Sequence, residues 1–297
     1  MLVFRFNMKY ALLVFISFGL WIYSLTEPKY SPIAMTNESD YNFPVVIAHK
    51  ALTSDKFPGN SLSAVLQTLN TKVDGIEVDI RLSKDNVLFL FHGDRLEQYT
   101  NLDGVPEDCN WSFLKEAKYN GTKEKLLSLD DFLSLVSNQK VIFLDIKSND
   151  NLNVDISKRV VDSIKKHKLK ETVLIESFNP ITLGAIRMYD KEINLMYDFV
   201  DDTRASLKES QDQFNKIPWL LKQYWFQKQI RRIIAPDALG PRFNFNRGIL
   251  ESLIKNGYPI ICWTVDDYNT AKSLYDLGVK GLQSNNPEKI GNAKLKD

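Results

Sequence analysis

Short apolar runs recur along the chain, some alternating with polar residues at the period of a strand and separated by stretches with helical spacing. The clearest is Gly75-Ile76-Glu77-Val78-Asp79-Ile80-Arg81, in which apolar Ile76, Val78 and Ile80 alternate with Glu77, Asp79 and Arg81. A period of two puts Glu77 and Asp79 on one face, about 7 Å apart along the strand. Further strands are predicted over 45–49, 87–91, 141–146, 173–177, 194–197, 259–265 and 279–283, with 233–235 a candidate ninth. Helical spacing covers 62–69, 128–136, 154–167, 181–189, 246–256 and 267–276. Strand then helix, repeated at this length, predicts the α/β class and a closed (β/α)8 TIM barrel, with a doubly wound open sheet as the lesser alternative. One link breaks the rhythm: seven residues separate Asp79 from Val87, too few for a crossover helix. With parallel flanking strands the chain must return extended, so the expected barrel is irregular, its second helix missing.

The N-terminus carries a different pattern. Tyr10 to Leu25 has no charge and spans about 24 Å as helix, reaching across a membrane if Met8 and Thr26 sit at the interfaces. Arg5 and Lys9 before it keep that end cytoplasmic and place the main domain outside the cytoplasm. The segment is either a signal anchor or a signal peptide. Ser24-Leu25-Thr26 is a poor cleavage site, so an uncleaved N-terminal transmembrane helix is expected; cleavage would make the protein secreted. The predicted organisation is an anchor over 1–26, a polar tether over 27–42 and the barrel over 43–292. Asn37, Asn110 and Asn120 begin glycosylation sequons, usable in a eukaryotic host.

The 297 residues, 44% hydrophobic and 25% charged, suffice for one large α/β domain plus this appendage. Lys and Arg (38) balance Asp and Glu (37), and no basic patch interleaves with aromatics, so nucleic acid is not an expected partner. Cys109 and Cys262 lie too far apart in sequence for a zinc cluster, and no disulfide between them is predicted.

If each parallel strand leaves its functional residue at its C-terminal end, four consecutive strands bring His49, then Glu77 and Asp79, then His92, then Asp145 and Lys147 to one rim. Carboxylates on an inward face need compensating charge, and oxygen ligands select magnesium or calcium. Three carboxylates can bind such an ion, two histidines can act as general base and acid, and Lys50 and Lys147 can face an anion. Those are the parts of a phosphodiester hydrolase. Plainer readings exist: Asp145-Ile146-Lys147 alone reads as an ion-paired strand end, and a lone strand-end histidine as a structural residue. Two such histidines flanking Glu77-Val78-Asp79 favour chemistry. His167, within Lys165-Lys166-His167-Lys168 on a polar helix face, is assigned no function.

At these residues the chain resembles the glycerophosphodiester phosphodiesterase family of metal-dependent TIM barrels. The family's His-Arg-Gly is matched by His49-Lys50-Ala51, its Pro-Glu-Asn-Thr turn by Pro58-Gly59-Asn60-Ser61, and its Glu-x-Asp by Glu77-Val78-Asp79. Its Thr-Lys-Asp-Gly corresponds to Ser83-Lys84-Asp85-Asn86, its His-Asp-x-x-Leu to His92-Gly93-Asp94-Arg95-Leu96, and its Glu-x-Lys to Asp145-Ile146-Lys147. Ser177-Phe178-Asn179-Pro180, Trp263-Thr264-Val265-Asp266-Asp267 and Gly278-Val279-Lys280-Gly281 continue the match, which covers residues 45 to 290. The resemblance implies Glu77, Asp79 and Asp145 as ligands of a divalent cation, Mg2+ or Ca2+. It implies His49 and His92 as the acid-base pair, and Lys50, Lys147 and Trp263 on the substrate side. Departures are Lys50 for arginine, Gly59 for glutamate, Gly93 for aspartate, Asp145 for glutamate, and Ser284-Asn285 for a usual Thr-Asp.

The expected activity is metal-dependent hydrolysis of a glycerophosphodiester to an alcohol and glycerol phosphate. Membrane-anchored relatives act as lysophospholipases D, which makes a lysophospholipid the alternative substrate. Pro218 to Ile234 bears on this choice, either as an amphipathic barrel helix with a basic outer face or as a membrane-facing lip of aromatic and basic residues. A lapsed enzyme that only binds phosphate or a partner is the alternative of another class.

Overall fold

The computed structural model describes residues 23, 26–34, 46–52, 56–150, 152, 154–201 and 217–291. Its strands are β1 (Val46–Ala48), β2 (Gly75–Leu82), β3 (Leu88–Leu90), β4 (Val141–Ile146), β5 (Val173–Ser177), β6 (Asn194–Phe199), β7 (Ala238–Pro241), β8 (Ile261–Cys262) and β9 (Gly281–Ser284). All but β3 follow one another in a parallel ring, in which β1 pairs with both β2 and β9. Parallel bridges Leu239↔Ile260 and Arg242↔Trp263 span the remaining gap between β7 and β8, so the barrel is nearly closed.

The helices are α1 (Leu62–Leu69), α2 (Trp111–Leu114), α3 (Leu129–Val136), α4 (Asp155–His167), α5 (Pro180–Tyr189), α6 (Tyr224–Ile234), α7 (Arg247–Lys255), α8 (Tyr268–Leu277) and α9 (Pro287–Ile290). Side-chain caps start several of them: Ser61, Ser128, Asn246 and Asp267 accept from the backbone N–H of Ala64, Asp131, Ile249 and Thr270. α8 stops at Gly278, whose φ of 106° suits a residue without Cβ. Outward apolar residues of the strands pack beneath these helices. Inward Ile47, Phe143, Leu174, Met196, Ala238 and Ile261 form a separate buried floor across the barrel. Polar side chains project inward above that floor, toward the C-terminal rim.

The expectation of a missing second helix is overturned. β3 is not a stave: it pairs antiparallel with β2, Ile80 opposite Leu90 and Leu82 opposite Leu88. The turn is closed by Ser83 N–H donating to Val87 O at 2.9 Å, with Asn86 at φ 67°. Too short for a crossover, the link makes a hairpin, which needs only a turn. The second crossover helix is α3, after the insertion, and it leads to β4, which pairs with β2. The eighth stave is instead β7, which the pattern missed because Gly240 and Pro241 weaken its strand signal, whereas 233–235 closes α6.

Most of the expected anchor, and residues 35–42 of the tether, lie outside the described residues. Among the described residues no helix is long and apolar enough to cross a membrane. Residues 26–34 lie against the N-terminal end of the barrel. Glu27 pairs with Arg231 of α6 and accepts from Tyr224 Oη, while Tyr30 Oη donates to Asp237 O at 2.8 Å.

Candidate active site

The site begins where β1 ends. His49-Lys50-Ala51 turns sharply, with φ of 55° at Lys50 and 57° at Ala51, a left-handed excursion that non-glycine residues rarely make. The turn brings Lys50 N–H to Glu77 Oε2 at 2.6 Å and His49 Nε2 to 3.8 Å from the same oxygen. Gly59 packs against it, and a Cβ at that position would stand 2.8 Å from Lys50 Cβ. The missing side chain at Gly59 thus lets the Pro58-Gly59-Asn60-Ser61 turn pack closely on the backbone and Cβ of Lys50.

Glu77 and Asp79 both point into the barrel, as the alternation predicts, and are 1% exposed. Asn60 clamps Asp79 at both ends: its Nδ2 donates to Oδ2 at 2.8 Å, and its Oδ1 accepts the Asp79 N–H at 3.0 Å. Asp79 lies beside Asp145 in the parallel register of β2 and β4. Lys147 Nζ donates to Asp145 Oδ2 and lies 3.3 Å from Asp79 Oδ1. His92 reaches the same cluster because β3 runs backward. β2 extends past the rim, and β3 returns His92 to the level of Asp79, with Nδ1 3.0 Å from Oδ1.

His49 is oriented from the opposite side. Asn285 Nδ2 donates to Asp266 Oδ2 at 2.9 Å, which turns its Oδ1 toward His49 Nδ1, 2.8 Å away. This network assigns the proton to Nδ1 and leaves the Nε2 lone pair facing the carboxylates. Trp263 Nε1–H is spent on Gly240 O at 2.8 Å, so the indole offers the cavity a ring, edge-on to Phe178 with centroids 5.3 Å apart.

Burial and neighbouring charges set the electrostatics. Burial, with Lys50 adding to it, lowers the His49 imidazole to about 3, so it is neutral near pH 7. Burial and then Asp79 and Asp145 raise Glu77 well above the ordinary carboxyl range. Burial would raise Asp79 as well, but His92 and Lys147 hold it well below that range. Burial opposes the charge on Lys147, yet Asp145 and Asp79 keep its ammonium above its ordinary value.

Ligand atoms of Glu77, Asp79 and Asp145 lie within 4.8 Å of one another. Glu77 Oε1 and Asp145 Oδ1 are buried with no hydrogen-bond partner among the described residues. Anionic oxygens so placed fit a hard divalent cation. The structure thus gathers His49, His92, Glu77, Asp79, Asp145 and Lys147, with Lys50 and Trp263 lining the same cavity of about 1220 Å³. Asn60, Asn285, Glu176 and Asp198 were not singled out from sequence. Glu176 and Asp198 carried a usable signal, a lone acid near the end of an apolar strand, as at Asp145. The two asparagines sit in loops, where periodicity carries no signal, although both fall in motifs matched to the family, Pro58-Gly59-Asn60-Ser61 and Ser284-Asn285.

The chain matches the model of the glycerophosphoryl diester phosphodiesterase family over residues 49–289. The glycerophosphodiester phosphodiesterase of Caldanaerobacter subterraneus subsp. tengcongensis is 26% identical over 259 residues, covering 84% of this chain and 96% of the relative. That of Bacillus subtilis is 22% identical, with 92% and 93% covered. Among solved structures, an Oleispira antarctica phosphodiesterase in complex with the product sn-glycerol-3-phosphate gives a TM-score of 0.71 at 22% identity, covering 85% of this chain and 97% of that one. A glycerophosphodiester phosphodiesterase from Parabacteroides distasonis gives 0.67 at 19% identity, with 86% and 98% covered. At these identities the solved structures show the barrel fold, whereas the family model spans the barrel together with its site. The chain therefore belongs to the glycerophosphoryl diester phosphodiesterase family and is a phosphoric diester hydrolase.

Proposed function

We propose that this protein hydrolyses a glycerophosphodiester to an alcohol and glycerol phosphate, using His49 and His92 as the acid-base pair beside a cation held by Glu77, Asp79 and Asp145. The observation that carries this reading is the anchoring of both imidazoles through Nδ1, on Asn285 and on Asp79, around one carboxylate cluster. Glu77, Asp79 and Asp145 would hold a divalent cation, which would supply charge neutralisation for the phosphoryl oxygens. His49, neutral and with its Nε2 lone pair free, takes a proton from the attacking water, whose oxygen bonds to phosphorus as the bond to the leaving alcohol breaks. His92 returns a proton to the leaving alcohol from Nε2. Lys50 and Lys147 face the phosphate, Lys50 as a point charge rather than the two-pronged grip of an arginine, and Trp263 packs its ring on the substrate.

A lysophospholipid is the second reading. It is favoured by the apolar wall of the cavity, where Phe178, Pro180, Ile181, Leu221 and Phe226 lead to Leu220, next to exposed Trp219. It ranks second because Tyr23, inside the apolar N-terminal run, and Thr26, just after it, contact Arg232 at the end of the barrel opposite the rim. We read residues 1–26 as a signal anchor with the barrel outside the cytoplasm, and the mass of the mature N-terminus distinguishes this from a secreted, cleaved form.

The test is choline release from glycerophosphocholine and from lysophosphatidylcholine, with magnesium, calcium or chelator, beside His49→Ala. Metal-dependent release abolished by the substitution supports the mechanism, and the faster substrate selects between the readings. Bound metal with no release from either substrate would instead favour a lapsed, phosphate-binding domain.

A further inference from the structure

The barrel holds more negative charge than one cation accounts for. Besides Glu77, Asp79 and Asp145, Glu176 of β5 and Asp198 of β6 project inward and are 2% and 3% exposed. Glu176 lies directly beside Asp145 in the sheet register. Asp198 is two residues beyond Met196, the residue beside Glu176, so it shares the inward face one step nearer the rim. Ligand atoms of Asp145, Glu176 and Asp198 approach one another within 4.8 Å, a second cluster that shares Asp145 with the first.

Among the described residues, side-chain partners offset the charge of this second cluster only in part. Gln283 Nε2 donates to both oxygens of Glu176, at 3.0 and 2.8 Å, which orients the carboxylate but brings no charge. Lys147 is bound to Asp145 and Asp79. Asp198 Oδ1 and Asp145 Oδ1 are buried without a hydrogen-bond partner among the described residues. The backbone, moreover, is shaped around Asp198: a Cβ at Gly240 would stand 1.9 Å from Asp198 Oδ1, so the absence of a side chain there lets the carboxylate lie inside the barrel. A buried anion with no partner costs several kcal/mol. One divalent ion at Glu77, Asp79 and Asp145 would leave Glu176 and Asp198 either protonated or uncompensated, whereas a second ion could take the place of those protons.

We propose that Asp145, Glu176 and Asp198 hold a second divalent cation, with Asp145 bridging the two sites. All its protein ligands are carboxylate oxygens, which select a hard ion such as magnesium, manganese or calcium over zinc or copper. Two cations sharing a carboxylate are suited to holding the attacking and leaving oxygens of a phosphodiester, although the binding claim itself stands apart from the proposed substrate.

The test is manganese binding by the full chain, read by equilibrium dialysis with metal analysis and by electron paramagnetic resonance. Two ions per chain with an exchange-coupled spectrum are expected. Asp198→Asn and Glu176→Gln should each remove one ion and the coupling, leaving an isolated-ion signal that Glu77→Gln weakens. A single ion in the wild-type chain overturns the proposal. So does a pair that survives both Asp198→Asn and Glu176→Gln, since the second ion would then sit elsewhere. If a variant fails to fold, the wild-type stoichiometry and spectrum still decide. Activity does not enter the readout, so an inactive protein that binds two coupled ions upholds this site while refuting the proposed reaction.

Discussion

Asn285→Leu keeps the size of the side chain and removes its polar end. Asn285 Oδ1 accepts from His49 Nδ1 at 2.8 Å, and its Nδ2 is tied to Asp266 at 2.9 Å, so the amide cannot turn without losing both bonds. The substitution strands the Nδ1–H, and an unsatisfied buried donor costs about 1–3 kcal/mol. The ring escapes by carrying its proton on Nε2, toward Glu77 Oε2 at 3.8 Å, which removes the lone pair that the proposed base role requires. The His49 side chain is 18% exposed, so water offsets part of the penalty and the lower half of the range applies. A loss of about 1–2 kcal/mol corresponds to a fall in kcat of roughly 5- to 30-fold. KM should stay within about twofold, because among the described residues the Asn285 hydrogen bonds go to His49 and Asp266 and not to the lysines proposed to face the phosphate. Steady-state kinetics measure the rates, and nitrogen NMR of labelled histidine reports the tautomer directly. An unchanged tautomer with kcat within about twofold of wild type would refute the assigned role.

Other expectations follow from burial. In chelator, burial keeps protons on folded Glu77, Glu176 and Asp198 at pH values where the unfolded chain has released them. From the ordinary carboxyl range upward the unfolded state binds fewer protons at these three groups, so the stability they contribute is lost as pH rises through their raised folded values; His49, lowered to about 3, acts in the opposite sense only up to the ordinary histidine range. Saturating magnesium should flatten that slope, and urea midpoints that climb with pH in chelator would contradict it. Glu27→Ala leaves the unexposed Arg231 side chain without its carboxylate, an expected cost of about 3–5 kcal/mol in urea unfolding of the full chain; a cost below about 1 kcal/mol would mean that residues 26–34 contribute little to the fold. Gly240→Ala forces Asp198 aside and should destabilise by about 1–3 kcal/mol, with a lowered melting temperature as the readout and an unchanged one as the refutation.

Sequence alone determined the strand and helix rhythm, the inward pair Glu77 and Asp79, and the strand-end placement of His49, Asp145 and Lys147. Those features depend on local periodicity and on the rule that a parallel barrel gathers strand ends at one rim. His92 was placed correctly in sequence for a geometrically wrong reason. Its strand is the return arm of a hairpin, and only pairing with β2 shows that the end of a backward strand meets Asp79. Stave β7 was hidden because its stability comes from its neighbours β6 and β8 rather than from its own propensity. Tertiary structure alone decided the roles of Asn60, Asn285 and Gln283, which act across separations of 19, 236 and 107 residues. It also decided the second carboxylate cluster: Glu176 and Asp198 look like isolated polar interruptions in sequence, and become one charged site only when the closing barrel turns β4, β5 and β6 inward together. Periodicity fixes which way a side chain points from its own strand, whereas distance to a partner far along the chain is set only when the ring closes.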